Sequence, residues 1–235
     1  MQEISKILSN SKTTETDTSS GRIISAYQKS GLSSDVFLTG VFSVLIPVSE
    51  NLTGAIKRMK AESVLEEKDE KRDGYVRGIY YLVQGFLHHP DAAVKAAAVK
   101  IDDVIENYGL TIVSESYATE TSLIESMLED LGTTELQVSI EALSGLSQLI
   151  ANLREAQTEF EQAKLEYDEE RVKEGELESA TKLKMDVISI INNKLVVYLR
   201  AMEQVDNEKY GTFAQTVATI IDDNNTAVKK RRKKP

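Results

Sequence analysis

The sequence predicts an all-α fold, on three observations. Apolar residues recur at intervals of three and four over most of the chain, which is the spacing of one helix face. No stretch shows sustained two-residue alternation of the kind that strands require. Only 3 Pro and 12 Gly occur in 235 residues, so long turn-rich regions are not expected. The predicted architecture is an elongated bundle of about six to seven helices with long antiparallel hairpins.

Composition narrows the class of protein further. Apolar residues make up 41% and charged residues 28% of the chain, as in ordinary soluble globular proteins. There is no Cys, which excludes disulfides, thiolate metal sites and a cysteine nucleophile. A cysteine-free chain without a signal-peptide pattern at its start fits a cytoplasmic location.

The chain divides into three parts by composition. Residues 1–20 end in a Ser/Thr-rich polar run, so we expect a flexible leader there. Residues 21–228 carry the helical periodicity and form the helical domain. Residues 229–235 are a basic tail, whose six cations contrast with the 22 basic and 38 acidic residues of the remaining chain.

The first helices are predicted from capping residues and periodicity. Residues 22–30 form a short helix, and Ser33 or Ser34 is a candidate N-cap for the next one. Pro47 should kink or break that helix, because it lacks an N–H and clashes with the preceding turn. The apolar residues 36–48 are too few to cross a bilayer, which needs roughly 20. We expect them to be buried core, with no integral membrane association.

Residues 69–109 predict two antiparallel helices joined at His88, His89 and Pro90. Asp91 can cap the second helix, and Gly109 suits its end. A further helix is expected over residues 110–131. Residues 146–167 show a heptad-like apolar seam typical of a coiled coil, and residues 177–202 return with the same spacing. Asp206 or Asn207 caps the last helix.

Two segments have a similar order of elements. Residues 33–108 and 134–224 each predict a long helix, a charged turn, a helix, an Asp-led turn and a last helix. We therefore consider two pseudo-repeats, each a three-helix unit, bridged by the helix over residues 110–131. Any two amphipathic helices match in part, so chance similarity is the alternative.

Candidate catalytic and metal-binding residues each have a simpler explanation. The acidic residues from Asp69 to Asp73 suggest metal ligation, but also an acidic first helical turn with Arg72 paired locally. His88 and His89 at a helix end suggest a pH switch or a capping role. No Gly-rich phosphate loop, nucleophile elbow or zinc-protease motif occurs. We assign no catalytic, cofactor-binding or metal-binding residue and expect no enzyme.

The basic tail is the clearest candidate binding element. Its six cations are Lys229, Lys230, Arg231, Arg232, Lys233 and Lys234. A run of this kind can bind the phosphate backbone of RNA or DNA by counterion release. An anionic membrane surface and a simple solvated tail are the alternatives.

A resemblance to a known family depends on a set of short motifs that occur in order. They are Asp69 with Arg72-Asp73, His89-Pro90, Ala97-Ala98, Tyr108-Gly109, Glu120-Thr121 with Ile124, Asp130-Leu131, Leu153, Phe160 and Arg171. In this order the chain resembles an uncharacterised all-helical family found mainly in Bacteroidota, classed as a domain of unknown function. The match covers about residues 35–228. The resemblance implies a helical, cytoplasmic bacterial protein and transfers no catalytic residue.

We therefore expect a non-enzymatic helical protein that acts through protein–protein contact, including self-association along an exposed helix face. Long patterned helices without catalytic constellations motivate this expectation. The alternative is a nucleic-acid-associated protein that uses the tail.

Overall fold

A computed structural model of the chain describes residues 3–174 and 179–232. The predicted all-α class is confirmed: the chain is 86% helical, and no strand occurs in the part described. The chain divides into two compact units. Unit 1 comprises Met1–Lys60 and Glu170–Pro235, and unit 2 comprises Ala61–Glu169.

Unit 1 surrounds one large apolar core. Its helices are α1 (Thr13–Lys29), the first half of α2 (Val36–Phe86), α7 (Ala180–Ile190), α8 (Val196–Val205) and α9 (Asn207–Arg232). A single π-helical turn, Ile191–Leu195, joins α7 to α8. Helix α1 packs against α7 and α9, and α8 also packs against α9. The core includes Ile23, Phe42, Leu52, Leu195, Leu199, Val217 and Ile221.

The start of the chain is not the flexible leader that the sequence predicted. Residues 3–8 have no regular secondary structure, and α1 begins at Thr13 instead of residue 22. Ile4 and Ile7 are 1% and 3% exposed and belong to the core of unit 1. The Ser/Thr-rich run forms the first turns of α1, where Thr16 and Ser19 donate their hydroxyl hydrogens to backbone carbonyls one turn earlier.

Helix α2 is continuous over 51 residues and includes Pro47, so the predicted break is wrong, whereas the alternative, a kink, stays a prediction. A proline inside a helix costs about 3 kcal/mol. Leu45 and Leu52 on either side of it are fully buried, and burying a leucine side chain contributes about 1.5–3 kcal/mol. The two leucines therefore offset the cost of the proline. The predicted helix boundary near Asp69 is absent for the same reason, because buried residues continue through it.

The N-cap of α2 is Asp35, not Ser33 or Ser34. Its carboxylate accepts the Leu38 N–H at 2.9 Å and also the hydroxyl hydrogens of Tyr198 at 2.7 Å and Tyr210 at 2.6 Å. Burial alone would raise the pKa of Asp35, but these donors outweigh it and hold the pKa below its usual range. The charged form of this carboxylate therefore ties α2 to α8 and α9.

Unit 2 contains the second half of α2 with α3 (Ala92–Ile105), α4 (Tyr117–Leu131), α5 (Gln137–Ala142) and most of α6 (Leu146–Glu174). The predicted cap at Asp91 is confirmed, since its carboxylate accepts the N–H groups of Ala93 and Val94. Gly109 has a φ of +67°, as expected for a helix stop. The core includes Ile79, Val83, Ala98, Ile101, Ile124, Leu131 and Leu153.

Other boundaries differ in detail. The helix expected over residues 110–131 is a 3-10 turn, Leu110–Ser114, followed by α4, which Ser116 caps. The predicted cap at Asp206 is confirmed by its bond from the Lys209 N–H. The seam of α6 is buried at Leu153 and Phe160, and its coiled-coil character stays a prediction. The charged turn expected within residues 134–224 falls at residues 173–176. Helix α6 continues to Glu174, and residues 175 and 176 lie outside the described part of the chain.

The pseudo-repeats over residues 33–108 and 134–224 also stay a prediction. The first segment holds one continuous helix where two were expected. The two compact units also divide the chain at different positions from the two segments.

We predict that Asp35→Ala lowers the free energy of unfolding by about 2–4 kcal/mol, because a cap is lost and two tyrosine hydroxyls lose their acceptor. Denaturant unfolding measures the change. Ser34→Ala is the control, since Ser34 is exposed and makes no cap bond. Equal stability of the two variants would contradict the assignment of the cap.

Candidate functional site

The largest fully buried side chain described is that of Arg72, in the unit 2 half of α2. One of its terminal nitrogens, Nη2, donates to Asp69 at 2.8 Å and to Glu120 on α4 at 2.6 Å. The other, Nη1, donates to Thr121 at 3.1 Å and to Gln157 on α6 at 3.2 Å. The guanidinium thus joins three helices of unit 2.

An aromatic ring completes this arginine centre. The guanidinium carbon lies 3.7 Å from the ring centroid of Phe160, close enough for a cation–π interaction. Tyr117 packs edge-on against the same ring, with centroids 5.2 Å apart. A buried charge is costly unless it is paired and hydrogen-bonded, and Arg72 has both kinds of partner.

The centre holds more negative charge than Arg72 can balance. Besides Asp69 and Glu120, it contains Asp73, whose Oδ2 accepts a hydrogen bond from the half-exposed Arg77 at 2.7 Å. The remaining oxygens, Oδ1 of Asp73 and Oε1 of Glu120, are buried and accept no hydrogen bond. Burial first, and then the Asp73 carboxylate, raise the pKa of Glu120 to about 8 despite the nearby guanidinium.

We interpret this pair as sharing a proton near neutral pH. A carboxylic acid on Glu120 can donate to Asp73 and still accept from Arg72, which gives both buried carboxylate oxygens a partner. Nε of Arg72 is also buried and donates no hydrogen bond within the described part of the chain. Asp69, Asp73 and Glu120 also offer oxygens within 4.8 Å of one another, as a cation site would. The guanidinium already lies between Asp69 and Glu120, however, so we assign a proton to the pair and not a metal ion.

The acidic residues from Asp69 to Asp73 are therefore not a first helical turn, as the sequence suggested. They lie in the middle of α2, where the buried Arg72 requires counter-charges. Its expected local pairing is confirmed for Asp69. Glu120, which is distant in sequence, was named only through the family resemblance, because spacing along one helix cannot reveal a partner on another.

His88 and His89 lie in the short connection between α2 and α3. Nδ1 of His89 accepts the Asp91 N–H at 3.2 Å, and its ring lies 5.8 Å from that of Phe86. Both contacts support the interpretation that His89 shapes the loop. The pH switch stays a prediction.

The basic tail is partly built into unit 1. Residues 229–232 continue α9, and Lys229 and Lys230 are exposed. Arg231 instead forms an ion pair with Glu15 and donates to the Asn10 carbonyl at 3.1 Å. The side chain of Arg232, together with Lys233 and Lys234, lies outside what the structure describes.

An apolar surface of unit 1 was not expected from the sequence. Val36, Phe37 and Val44 on α2 are 87%, 46% and 44% exposed, although residues 36–48 were predicted to be buried core. Val197 on α8 is 53% exposed, and the rings of Phe37 and Tyr198 stack with centroids 4.2 Å apart. We call these five residues the apolar face. A shallow groove between α2 and α8 runs beside them.

Among the described residues that line this groove, Lys194 is the only charged one. A protein with a net charge of −10 thus presents a surface without carboxylates at this point. Contiguous exposed apolar residues commonly mark interaction sites.

Within residues 3–174 and 179–232, one helix, α2, is long and apolar enough to cross a membrane by length and composition alone. Its most apolar 18-residue window has a mean hydropathy of 1.5, and a third of that window is buried. Core helices of soluble proteins meet the same criterion.

The fold and the arginine centre define an all-helical protein whose buried charge joins helices. A family described as "Family of unknown function (DUF6261)" matches residues 63–222, and the chain belongs to this family. The matched range covers all residues of the arginine centre and begins later than the residue 35 expected from the resemblance. No curated protein and no solved structure matches the chain.

We predict that stability falls as pH rises from 5 to 9. The pKa of Glu120 is about 8 in the folded chain against 4.5 in model peptides, so the folded state holds the extra proton in this interval. Losing it should cost roughly 1–3 kcal/mol. Glu120→Gln, whose amide can donate to Asp73 permanently, should flatten the dependence and be more stable than wild type at pH 9.

Unfolding by urea at pH 5, 7 and 9 provides the measurement. Glu129→Gln, on an exposed position of the same helix, is the control and should follow wild type. Parallel profiles for wild type and Glu120→Gln would contradict the shared proton.

Proposed function

We propose that this protein is non-enzymatic, is located in the bacterial cytoplasm and acts through protein–protein contact at the apolar face, first of all as a homodimer. The observation that supports this proposal is the exposure of Val36, Phe37, Val44 and Val197 beside a groove without carboxylates. The lack of Cys supports the cytoplasmic location, since a reducing compartment does not provide disulfides.

Charge explains why this surface suits a second copy. Two chains of net charge −10 repel each other over most of their surfaces. At the apolar face there is no carboxylate to desolvate, and apolar area removed from water contributes about 25 cal/mol per Å². Contact there therefore gains free energy where charge repulsion is weakest.

The arginine centre favours a structural role over catalysis. Its guanidinium is 0% exposed and its hydrogen bonds all go to side chains of the same unit. A catalytic arginine or carboxylate must reach a substrate. An enzyme based on carboxylates is the less favoured alternative.

We predict that wild-type protein sediments as a concentration-dependent dimer and that Val36→Asp weakens its association at least tenfold. Val36 is the first residue of α2, where a negative charge is compatible with the helix dipole and leaves the fold intact. Val197→Asp should act in the same way. Val138→Asp is the matched control, because Val138 is 78% exposed near the start of α5.

Analytical ultracentrifugation over a hundredfold concentration range tests the proposal. A wild-type chain that is monomeric throughout, or a dimer that none of the apolar-face variants weakens, would overturn the homodimer.

A second candidate function is association with RNA or DNA through residues 229–234, as Lys229 and Lys230 are exposed at the end of α9. Each phosphate neutralised changes the slope of log K against log salt by about 0.9 on duplex DNA. We predict that replacing Lys229, Lys230, Lys233 and Lys234 by Gln reduces the affinity for nucleic acid and also the slope of log K against log salt.

This fourfold variant retains Arg231, so its contact with Glu15 is preserved. A chain ending at Val228 would lose that contact as well and is the less specific comparison. Filter binding at two salt concentrations is the measurement. Equal binding by wild type and variant, or binding that is independent of salt, would overturn this candidate.

A further inference from the structure

Residues 3–12 precede α1 and form neither helix nor sheet, yet they are packed into unit 1. We call them the N-terminal segment. Two of its side chains, Ile4 and Ile7, are buried at 1% and 3% exposure. Among the described hydrogen bonds, residues 3–7 make none to another backbone group, and the Leu8 carbonyl accepts only from Ser11. The other polar backbone groups of the segment must therefore find partners elsewhere.

Two asparagines provide those partners in the centre of the segment. Asn192 accepts the Ile7 N–H at 2.8 Å and donates to the Ile7 carbonyl at 2.9 Å. Asn225 accepts the Leu8 N–H at 3.1 Å and donates to the Lys6 carbonyl at 2.8 Å. In an extended chain, the groups of residue 7 and those of its two neighbours point to opposite edges. Each asparagine therefore takes the place of an adjacent strand.

Further bonds continue along the segment, and most of them also go to its backbone. Arg200 donates to the Ile4 carbonyl through both Nε and Nη2. Lys184 donates to the Ser11 carbonyl at 3.3 Å, and Arg231 to that of Asn10 at 3.1 Å. These bonds do not depend on the identity of the residues in the segment. Residue identity matters at the two buried isoleucines and at Ser11, which is 2% exposed and whose hydroxyl accepts a hydrogen bond from Asn224.

The groove has features of a built binding site. Asn192 and Asn225 are 9% and 5% exposed, and a buried side-chain amide is costly unless it is hydrogen-bonded. Asn192 also lies in the π-helical turn Ile191–Leu195, and such turns are frequent at functional sites because they reorient a side chain. Both features are expected of a groove that binds a peptide backbone.

We propose that the groove defined by Asn192, Arg200 and Asn225 is a binding site for extended peptides, which the chain's own N-terminal segment occupies. The ligand class is an extended segment of a partner protein with two branched aliphatic residues three positions apart, as Ile4 and Ile7 are. The partner's segment enters when the N-terminal segment leaves. This site is distinct from the apolar face, and neither proposal depends on the other.

Binding of a labelled peptide with the sequence of residues 3–12 tests the proposal on the full-length chain. The variant Ile4→Asp with Ile7→Asp releases the chain's own segment, since two carboxylates would otherwise be buried. Because a competing occupant lowers apparent affinity, this variant should bind the peptide at least tenfold more tightly than wild type. Fluorescence anisotropy measures both.

Asn192→Ala in the released background should reduce peptide affinity at least tenfold. Asn193→Ala is the matched control, because Asn193 is exposed in the same π-helical turn and touches only the Lys6 side chain of the segment. A labelled peptide with Asp at both isoleucine positions should not bind. A released variant that melts cooperatively but binds the peptide no better than wild type would overturn the proposal.

Hydrogen exchange of the unmodified chain gives a second measurement, which does not require the variants to fold. The amides of Ile7 and Leu8 should exchange through local opening, at least a hundredfold faster than that of the buried Leu199. Equal protection of all three amides would mean that the segment leaves only on global unfolding. That result would overturn the proposal that a partner's segment replaces it in the folded protein. If the added peptide dissociated a wild-type dimer, the groove of each chain would be occupied by the N-terminal segment of the second copy. That result would overturn the proposal that the chain's own segment occupies the groove.

Discussion

The buried guanidinium of Arg72 is the interaction on which unit 2 depends. It holds α2, α4 and α6 together through charged and neutral acceptors, and its other face covers the ring of Phe160. Three carboxylates around Arg72 leave a surplus of two negative charges. Arg77 pairs with Asp73, and a proton between Asp73 and Glu120 removes the other charge. The same interaction therefore determines both how the helices meet and how stability responds to pH.

In unit 1, buried polar side chains do more than join pairs of helices. They also hold the start of α2 and the N-terminal segment in place. Asp35 joins the start of α2 to the hydroxyls of two tyrosines, and Asn192 and Asn225 hold the N-terminal segment by its backbone. Buried amides and carboxylates are tolerated only when such partners are present. Outside this buried network, the apolar face stays exposed.

Helix type was readable from the sequence, because the three-and-four spacing of apolar residues is a local property. The caps at Asp91 and Asp206 and the stop at Gly109 were likewise readable, as each acts on its nearest neighbours. Pro47 and the supposed break near Asp69 were misread. In both places the burial of side chains in the tertiary core outweighs the local preference for a helix end. The local sequence pattern does not indicate that burial.

The sequence by itself determined the all-helical class, the helix caps at Asp91 and Asp206, the acidic character of the chain and its basic C-terminus. Only the tertiary structure decided which polar residues are paired: Glu120 with Arg72, Asp35 with Tyr210, and Asn192 with the backbone of Ile7. The physical reason is distance along the chain. A hydrogen bond between residues that are 48 or 185 positions apart produces no periodic pattern in the sequence. An amphipathic helix, in contrast, places apolar residues at regular intervals in every turn.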